Sequence, residues 1–439
     1  MRPSVRLAKW IGPALLLALP AFPQNFSGVE RGRALDMWSA ISRDVQKHYY
    51  DPKFHGVDWE ATVAETKQKI KQADSMNLAM AYIASALMKL NDSHLFFEPP
   101  SRPYRHDYGL RYQVVGDQCL VTQVRPGSDA AAKGIKPGDA ILAIGPFAPA
   151  RDNLWKIQYR FDTLRPQAAL PLSLRDPAGN QRELEAVAKM REMKRVTDLT
   201  ASGDSDINNY LREEEKEERR RRARTVEIPD GPFILNLPSF VFPREEVDAM
   251  IGKARKHDSM ILDLRGNPGG SVDTLKRMVG SFFDKEVRIA GRMSREGSDK
   301  PLVAKPLSAA FTGRLVVLID SRSASAAELF ARVIQLEKRG TVLGDRSSGS
   351  VMEARGYSYH IGTDTMVFYG ASITDADLVM SDGKSLESSG VTPDETTVPT
   401  AADLAADRDP VLARAVELLG KKVSPEQAGK MFPYQWPDE

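Results

Sequence analysis

Cysteine is almost missing from this chain: Cys119 is the one thiol in 439 residues. Without a partner it forms no internal disulfide and no cysteine-based metal site, so stability has to come from cores large enough to need no covalent staple. Net charge is nearly missing too. The 61 Lys and Arg stand against 59 Asp and Glu, a formal +2, and that balance gives no basic surface of the kind nucleic acid selects. The apolar run at the N-terminus, Trp10 to Leu19, is about half of the ~20 residues that a mature membrane span needs. No cluster of metal-ligating residues and no nucleotide-binding motif occurs, so no cofactor is implied.

What is present reads as a folded, multidomain chain. Hydrophobic residues make up 42% and charged residues 27%, a globular composition. The length exceeds the roughly 250–300 residues at which single cores stop growing, which predicts two or three domains. Arg2, Arg6 and Lys9 precede the short apolar run, and Pro20, Ala21 and Pro23 follow it. This is the pattern of a secretory signal, residues 1–24, with cleavage between Ala18 and Gln24 and a periplasmic or secreted destination. An N-terminal membrane anchor or a buried helix is the alternative.

Residues 25–100 carry apolar positions at helical spacing, among them Trp38, Ile41, Ile83 and Leu87, ending at Asn91-Asp92-Ser93-His94 and the strand-like Leu95-Phe96-Phe97. From 105 to 192 the period shortens to that of strands, with Cys119 read as a buried structural thiol. Within it, Pro126-Gly127-Ser128 opens a Ser-capped short helix, and Lys133-Gly134-Ile135-Lys136-Pro137-Gly138-Asp139 leads into the strand Ala140 to Ile144. This string resembles the PDZ domain. Residues 193–225 are charge-dense, with Glu213 to Glu218 beside Arg219 to Arg222. The adjacent opposite charges predict a solvated linker helix in preference to a nucleic-acid or lipid tract. From 226 to 400 buried strands alternate with helices, an α/β layer domain, and a closing helix and tail occupy 401–439.

Two strand ends carry unusual polar residues. After Met260 to Leu264 comes Arg265-Gly266-Asn267-Pro268-Gly269-Gly270-Ser271. Such a loop lets backbone N–H groups face a ligand. It lacks the Lys-Ser/Thr of a P-loop, leaving an oxyanion hole, a phosphate cradle or a tight turn. After Leu315 to Ile319 comes Asp320-Ser321-Arg322-Ser323-Ala324-Ser325-Ala326-Ala327-Glu328-Leu329. A serine with small neighbours at a helix start suits a nucleophile, and equally an N-cap.

Together with Glu387-Ser388-Ser389-Gly390-Val391-Thr392-Pro393-Asp394, these stretches resemble the C-terminal processing and tricorn-like serine peptidase family, in which a PDZ-like insert precedes a crotonase- or Clp-like catalytic domain. The resemblance implies Ser325 as nucleophile, with the N–H groups of Ala326 and of Gly270 or Gly269 as oxyanion hole. The commoner branch carries a Lys base where this chain has Ser350, and a hydroxyl takes no proton near neutral pH. The tricorn-like branch instead uses a Ser-His-Ser-Glu tetrad, which implies His94 as base and Ser93 and Glu387 as its orienting partners. Gly109 and Leu110 are the implied carboxylate-binding turn of the PDZ-like module, with Arg105 and His106 beside it. The expected partners are peptides or unfolded proteins. A non-catalytic binding protein and an acyl-CoA enzyme are the rival functions; retained Ser325, His94 and Glu387 oppose the first, and the PDZ-like module opposes the second.

Overall fold

The computed structural model describes residues 26–192, 222–298, 300–362 and 366–436. The signal segment and most of the charged linker lie outside the described residues. Where the linker reading reaches described chain it is corrected: Arg224–Glu227 is a strand.

Three capped helices open the chain. Ser27 and Glu30 form a capping box on Gly28–His48, Asp58 caps Trp59–Gln72, and Ser75 caps Met76–Met88, each satisfying N–H groups that the first turn leaves without partners. Their apolar faces bury Trp38, Ile41, Ile70, Ile83 and Leu87 in one cluster, which also takes in Tyr369, Ala371 and Ile373 from near the other end of the chain. The last helix runs out through Asn91 into the short strand Phe96–Glu98. That strand pairs antiparallel with Val367–Val379, Phe96 opposite Ser372, so an N-terminal segment is built into a C-terminal sheet. The long hairpin Met352–Ile361 with Val367–Val379 was not anticipated from sequence. Its first strand, Met-Glu-Ala-Arg-Gly-Tyr-Ser-Tyr-His-Ile, has few fully buried positions and weak alternation.

The middle of the chain is a five-stranded antiparallel sheet: Leu110–Val115, Gln118–Val124, Ala140–Ile144, Ala169–Arg175 and Gln181–Val187. Leu170, Leu172 and Leu174 alternate inward, as a half-buried strand requires. Ser128 caps the short helix Asp129–Ala132, and the helical stretch from Leu154 to Leu164 covers the core with Leu154, Ile157 and Phe161. Strands Tyr104–Asp107 and Lys189–Glu192 pair where the chain enters and leaves this unit. Its edge is held against the C-terminal part: Gln113 donates to Asp320 (3.1 Å), the Ser321 hydroxyl to the Val114 carbonyl, and the Gly116 N–H to Asp345 (2.9 Å). Arg151 closes on both Asp345 oxygens.

The C-terminal sheet runs Glu395–Thr396, Thr341–Gly344, Arg314–Ile319, Ser259–Asp263, Phe233–Asn236, Arg224–Glu227. All neighbours are parallel except the last pair. Its inner strands are buried on both faces, as parallel strands are. Helices Arg244–Ala254, Val272–Gly280 and Ala326–Leu336 cover one face; Pro410–Leu418 and Pro425–Gly429 cover the other. The molecule is thus mixed α/β. Among the described residues no helix is long and apolar enough to cross a membrane.

Candidate active site

Both polar loops singled out in the sequence leave the carboxyl ends of adjacent parallel strands, Ser259–Asp263 and Arg314–Ile319, where open α/β sheets place their ligands. They interlock. The Asp320 carboxylate accepts the Gly266 N–H (2.8 Å), the Ala324 N–H donates to the Asn267 carbonyl (2.9 Å), and Asn267 reaches back to the Leu237 carbonyl (2.8 Å). Ser323 is fully buried, with its hydroxyl donated to the Leu264 carbonyl (2.8 Å) and accepting the Asp320 N–H; it is a strut. Ser325 differs. It is partly exposed at the start of helix Ala326–Leu336, with φ 55° and ψ −118°. Positive φ costs a non-glycine residue about 1–3 kcal/mol and persists where its surroundings impose it, the backbone of a nucleophile elbow.

The glycines are explained by close approach. A Cβ on Gly269 would lie 2.7 Å from Ser325 Cβ and 2.9 Å from the Ala326 nitrogen, and one on Gly270 would lie 2.5 Å from the Phe240 carbonyl oxygen. The Gly269 N–H is spent internally on Asn267 Oδ1 (2.8 Å). Of the three expected oxyanion donors, this leaves Gly270 and Ala326, whose N–H groups meet no acceptor among the described residues.

The second half of the site comes from 230 residues upstream. Buried Asp92 accepts the N–H groups of His94 (2.8 Å) and Leu95 (3.1 Å) and the hydroxyls of Tyr49 and Thr374, which fixes the turn. The Ser93 N–H and hydroxyl both donate to Glu387, each at 2.9 Å. Because the Ser93 hydroxyl hydrogen is committed to Glu387, its oxygen accepts from His94 Nδ1 at 2.8 Å, and the lone pair of the neutral ring then sits on Nε2. Burial lowers the pKa of His94, which Asp92 only partly offsets, so the ring is neutral at pH 7. Burial raises that of Glu387 against the pull of its N–H donors from Ser93 and Val351.

One peptide group joins the two halves. The Ser350 carbonyl accepts the Ser325 N–H (2.8 Å), and the next N–H, Val351, donates to Glu387 (2.8 Å). Among the described residues the Ser325 hydroxyl and His94 share no hydrogen bond; such bonds often tighten only with substrate present. Ser350 bonds Ser348 (2.9 Å), and Lys384, the nearest lysine in sequence to Glu387, is exposed.

Glu328, three residues after Ser325, is a site residue that the sequence reading misses. Fully buried, it accepts the Ser347 hydroxyl (2.6 Å) and the N–H groups of Gly349 (2.7 Å), Ser350 (3.0 Å) and Ser325 itself (3.0 Å). Burial pushes its pKa up to about 7 despite these donors. Only its place three residues after Ser325 marked it in the sequence. At the proposed carboxylate-binding turn the outcome differs from expectation. The Gly109 N–H is donated to Asp107 (2.9 Å), which also pairs with Arg125 and Arg191, so an internal carboxylate already occupies it. Leu110 is buried and paired opposite Val124, and neither residue approaches Ser325 through any hydrogen bond.

A strained serine at a helix start, two N–H groups without an acceptor among the described residues and a carboxylate-tethered imidazole make this a candidate serine-nucleophile site. Residues 234–397 match the model of Peptidase family S41, and residues 35–76 that of the Tricorn protease C1 domain. Over these residues the chain is similar to the C-terminal processing and tricorn-like serine peptidase family. It is similar to the "Tail-specific protease" of Haemophilus influenzae (22% identical, covering 66% of this chain and 41% of that one). It is also similar to the "Carboxy-terminal-processing protease" of Bartonella bacilliformis (26%; 65% and 60%) and to "Putative tricorn protease homolog 2" of Streptomyces coelicolor (23%; 87% and 32%). The chain thus spans between about a third and three fifths of the length of these relatives. Its fold is similar to that of mature CPAF (TM-score 0.64, 15% identical, covering 90% of this chain and 100% of that one) and of a photosystem II D1 C-terminal processing protease (0.52, 18%; 90% and 99%).

Proposed function

We propose that this chain is an exported serine endopeptidase that hydrolyses unfolded or C-terminally presented protein substrates through a tricorn-like tetrad. The observation that carries the reading is the chain of hydrogen bonds from Glu387 through Ser93 to His94, tied by the Ser350–Val351 peptide to the strained Ser325. His94 Nε2 takes the Ser325 hydroxyl proton as Oγ attacks the scissile carbonyl. The oxyanion is met by the Gly270 and Ala326 N–H groups, and the imidazolium returns the proton to the leaving amine. Water then releases the acyl group by the same route. Ser93 and Glu387 hold the ring's orientation and steady its positive charge. Export is supported by the basic and apolar N-terminal segment. The middle sheet, with its Ser128-capped turn, serves as a PDZ-like substrate-presenting unit; the engaged Gly109 amide favours presentation without terminal-carboxylate capture there.

The test is labelling by a fluorophosphonate together with hydrolysis of an unfolded protein. The intact chain should label and cleave. Ser325→Ala should lose both, with turnover down by several orders of magnitude, on the order of 10⁶. His94→Ala should be nearly as damaging and Ser350→Ala mild. Absence of labelling in the intact chain, with peptide still bound, would establish the binding-protein alternative instead.

A further inference from the structure

A cavity of about 440 Å³ opens beside the segment of the candidate base, lined by Phe96, Phe97, Pro99, Trp155 and Tyr159 together with Ser93, Glu98 and Thr163. We propose that it is the subsite that accepts a bulky apolar side chain flanking the scissile bond, an assignment that rests on the peptidase reading. Three observations carry it. First, Ser93 both lines the cavity and holds His94 (2.8 Å), which sets the cavity directly against the segment that carries the candidate base. Second, the walls are aromatic and aliphatic with few polar groups, the makeup of a pocket selective for apolar groups, and the Glu98 carboxylate disfavours an acidic occupant. Third, the walls are pinned. Trp155, Tyr159 and Thr163 recur every fourth residue on one side of the helical stretch from Leu154 to Leu164. That stretch is bonded to the segment bearing the base: the Tyr159 hydroxyl donates to the Phe97 carbonyl, Lys156 to Asn91 (3.2 Å), and Arg102 to the Leu164 carbonyl (2.7 Å). Specificity is therefore built jointly by the middle unit and the N-terminal segment, far from Ser325 in sequence.

The experiment compares kcat/KM for a peptide series in which each residue flanking the scissile bond is Ala, Leu, Phe or Asp. The intact chain should prefer Phe or Leu over Ala at one flanking position by at least about tenfold, and should disfavour Asp there. Thr163→Trp, which fills the cavity, should collapse the Phe-to-Ala ratio toward one; should that variant fail to fold, Trp155→Ser, which removes an apolar wall, should lower the same ratio. An intact chain indifferent to these residues, or a folded variant with an unchanged ratio, overturns the subsite. If the intact chain cleaves no peptide at all, the peptidase reading fails separately. The subsite is then judged by calorimetric binding of the same series to the Ser325→Ala chain, where Phe should outrank Ala and equal affinities overturn it.

Discussion

At the residue scale the informative group is Glu328. A carboxylate with no solvent contact is costly unless every lone pair is used, and here its four donors are the backbone of Ser325, Gly349 and Ser350 and the Ser347 hydroxyl. Its task follows: it pins the positive-φ backbone of Ser325, the proposed nucleophile, to the loop that carries the Ser350–Val351 link to Glu387. In Glu328→Gln the amide NH₂ replaces one oxygen and opposes N–H donors. With an unsatisfied buried donor costing about 1–3 kcal/mol, kcat should fall about tenfold to a hundredfold while KM changes little. The pH profile separates this from mere loosening. On the proposed mechanism both Glu328 and His94 act deprotonated, so activity should rise with pH. With Glu328 raised to about 7 and His94 lowered by burial, the intact chain's acid limb should lie near 7. Glu328→Gln should move that limb below the ordinary histidine value of about 6.5. An identical limb in both proteins would leave Glu328 as packing alone.

At the scale of elements, the two loops work as one body because glycine lets their backbones touch. Gly269 has φ 96° and almost no room beside Ser325. Gly269→Ala therefore adds both left-handed strain and a methyl pressed on the nucleophile's Cβ. Its expected outcome is a hydrolytic loss of at least a hundredfold with secondary structure by circular dichroism unchanged, since the strain falls on a loop. By contrast Gly179, at φ 96° in an open turn where an added Cβ would meet nothing within 4 Å, should accept Ala with a stability change alone. Equal activity of the two variants would remove close approach as the reason for the glycine pair.

At the scale of the whole molecule, Arg265 joins the catalytic sheet to the C-terminal helices. Its guanidinium lies between Asp263 (2.7 Å) and Asp409 (2.8 Å). Asp263 is 2% exposed. Burial would raise the Asp409 pKa, yet the Arg265 charge and hydrogen bonds hold it below the usual carboxylate range. Removing the cation leaves the buried Asp263 carboxylate facing the partly buried Asp409, which costs up to about 3–5 kcal/mol. Arg265→Leu should show that loss in the denaturant midpoint at pH 7. A depressed carboxyl contributes stability above its unfolded pKa and loses it as pH falls, so the gap between the two proteins should narrow in acid. A constant gap from pH 7 to pH 3 would count against the ion pair as its source.

Much was legible in local sequence, because local physics decides it. The helix cap at Ser128, the buried strands around Leu262 and Val317, and the Ser325 helix start all follow from capping chemistry, period and small-residue spacing. The strand Arg224–Glu227 begins inside what the charge density marks as linker, because pairing with Phe233–Asn236 outweighs helical charge pairing there. Other features depend on contacts between distant segments. His94 owes its position to Phe96–Glu98 pairing with Val367–Val379, and its ring orientation to Glu387, 293 residues further on. The Gly109 amide looked open in its turn, but Asp107 folds back onto it. The cavity beside Ser93 exists because a helix of the middle unit docks on the N-terminal segment, and no local periodicity encodes which two surfaces meet. Backbone conformation and capping are decided within a few residues; the tautomer, the free oxyanion donors and the apolar pocket are decided by which groups the tertiary fold leaves without internal partners.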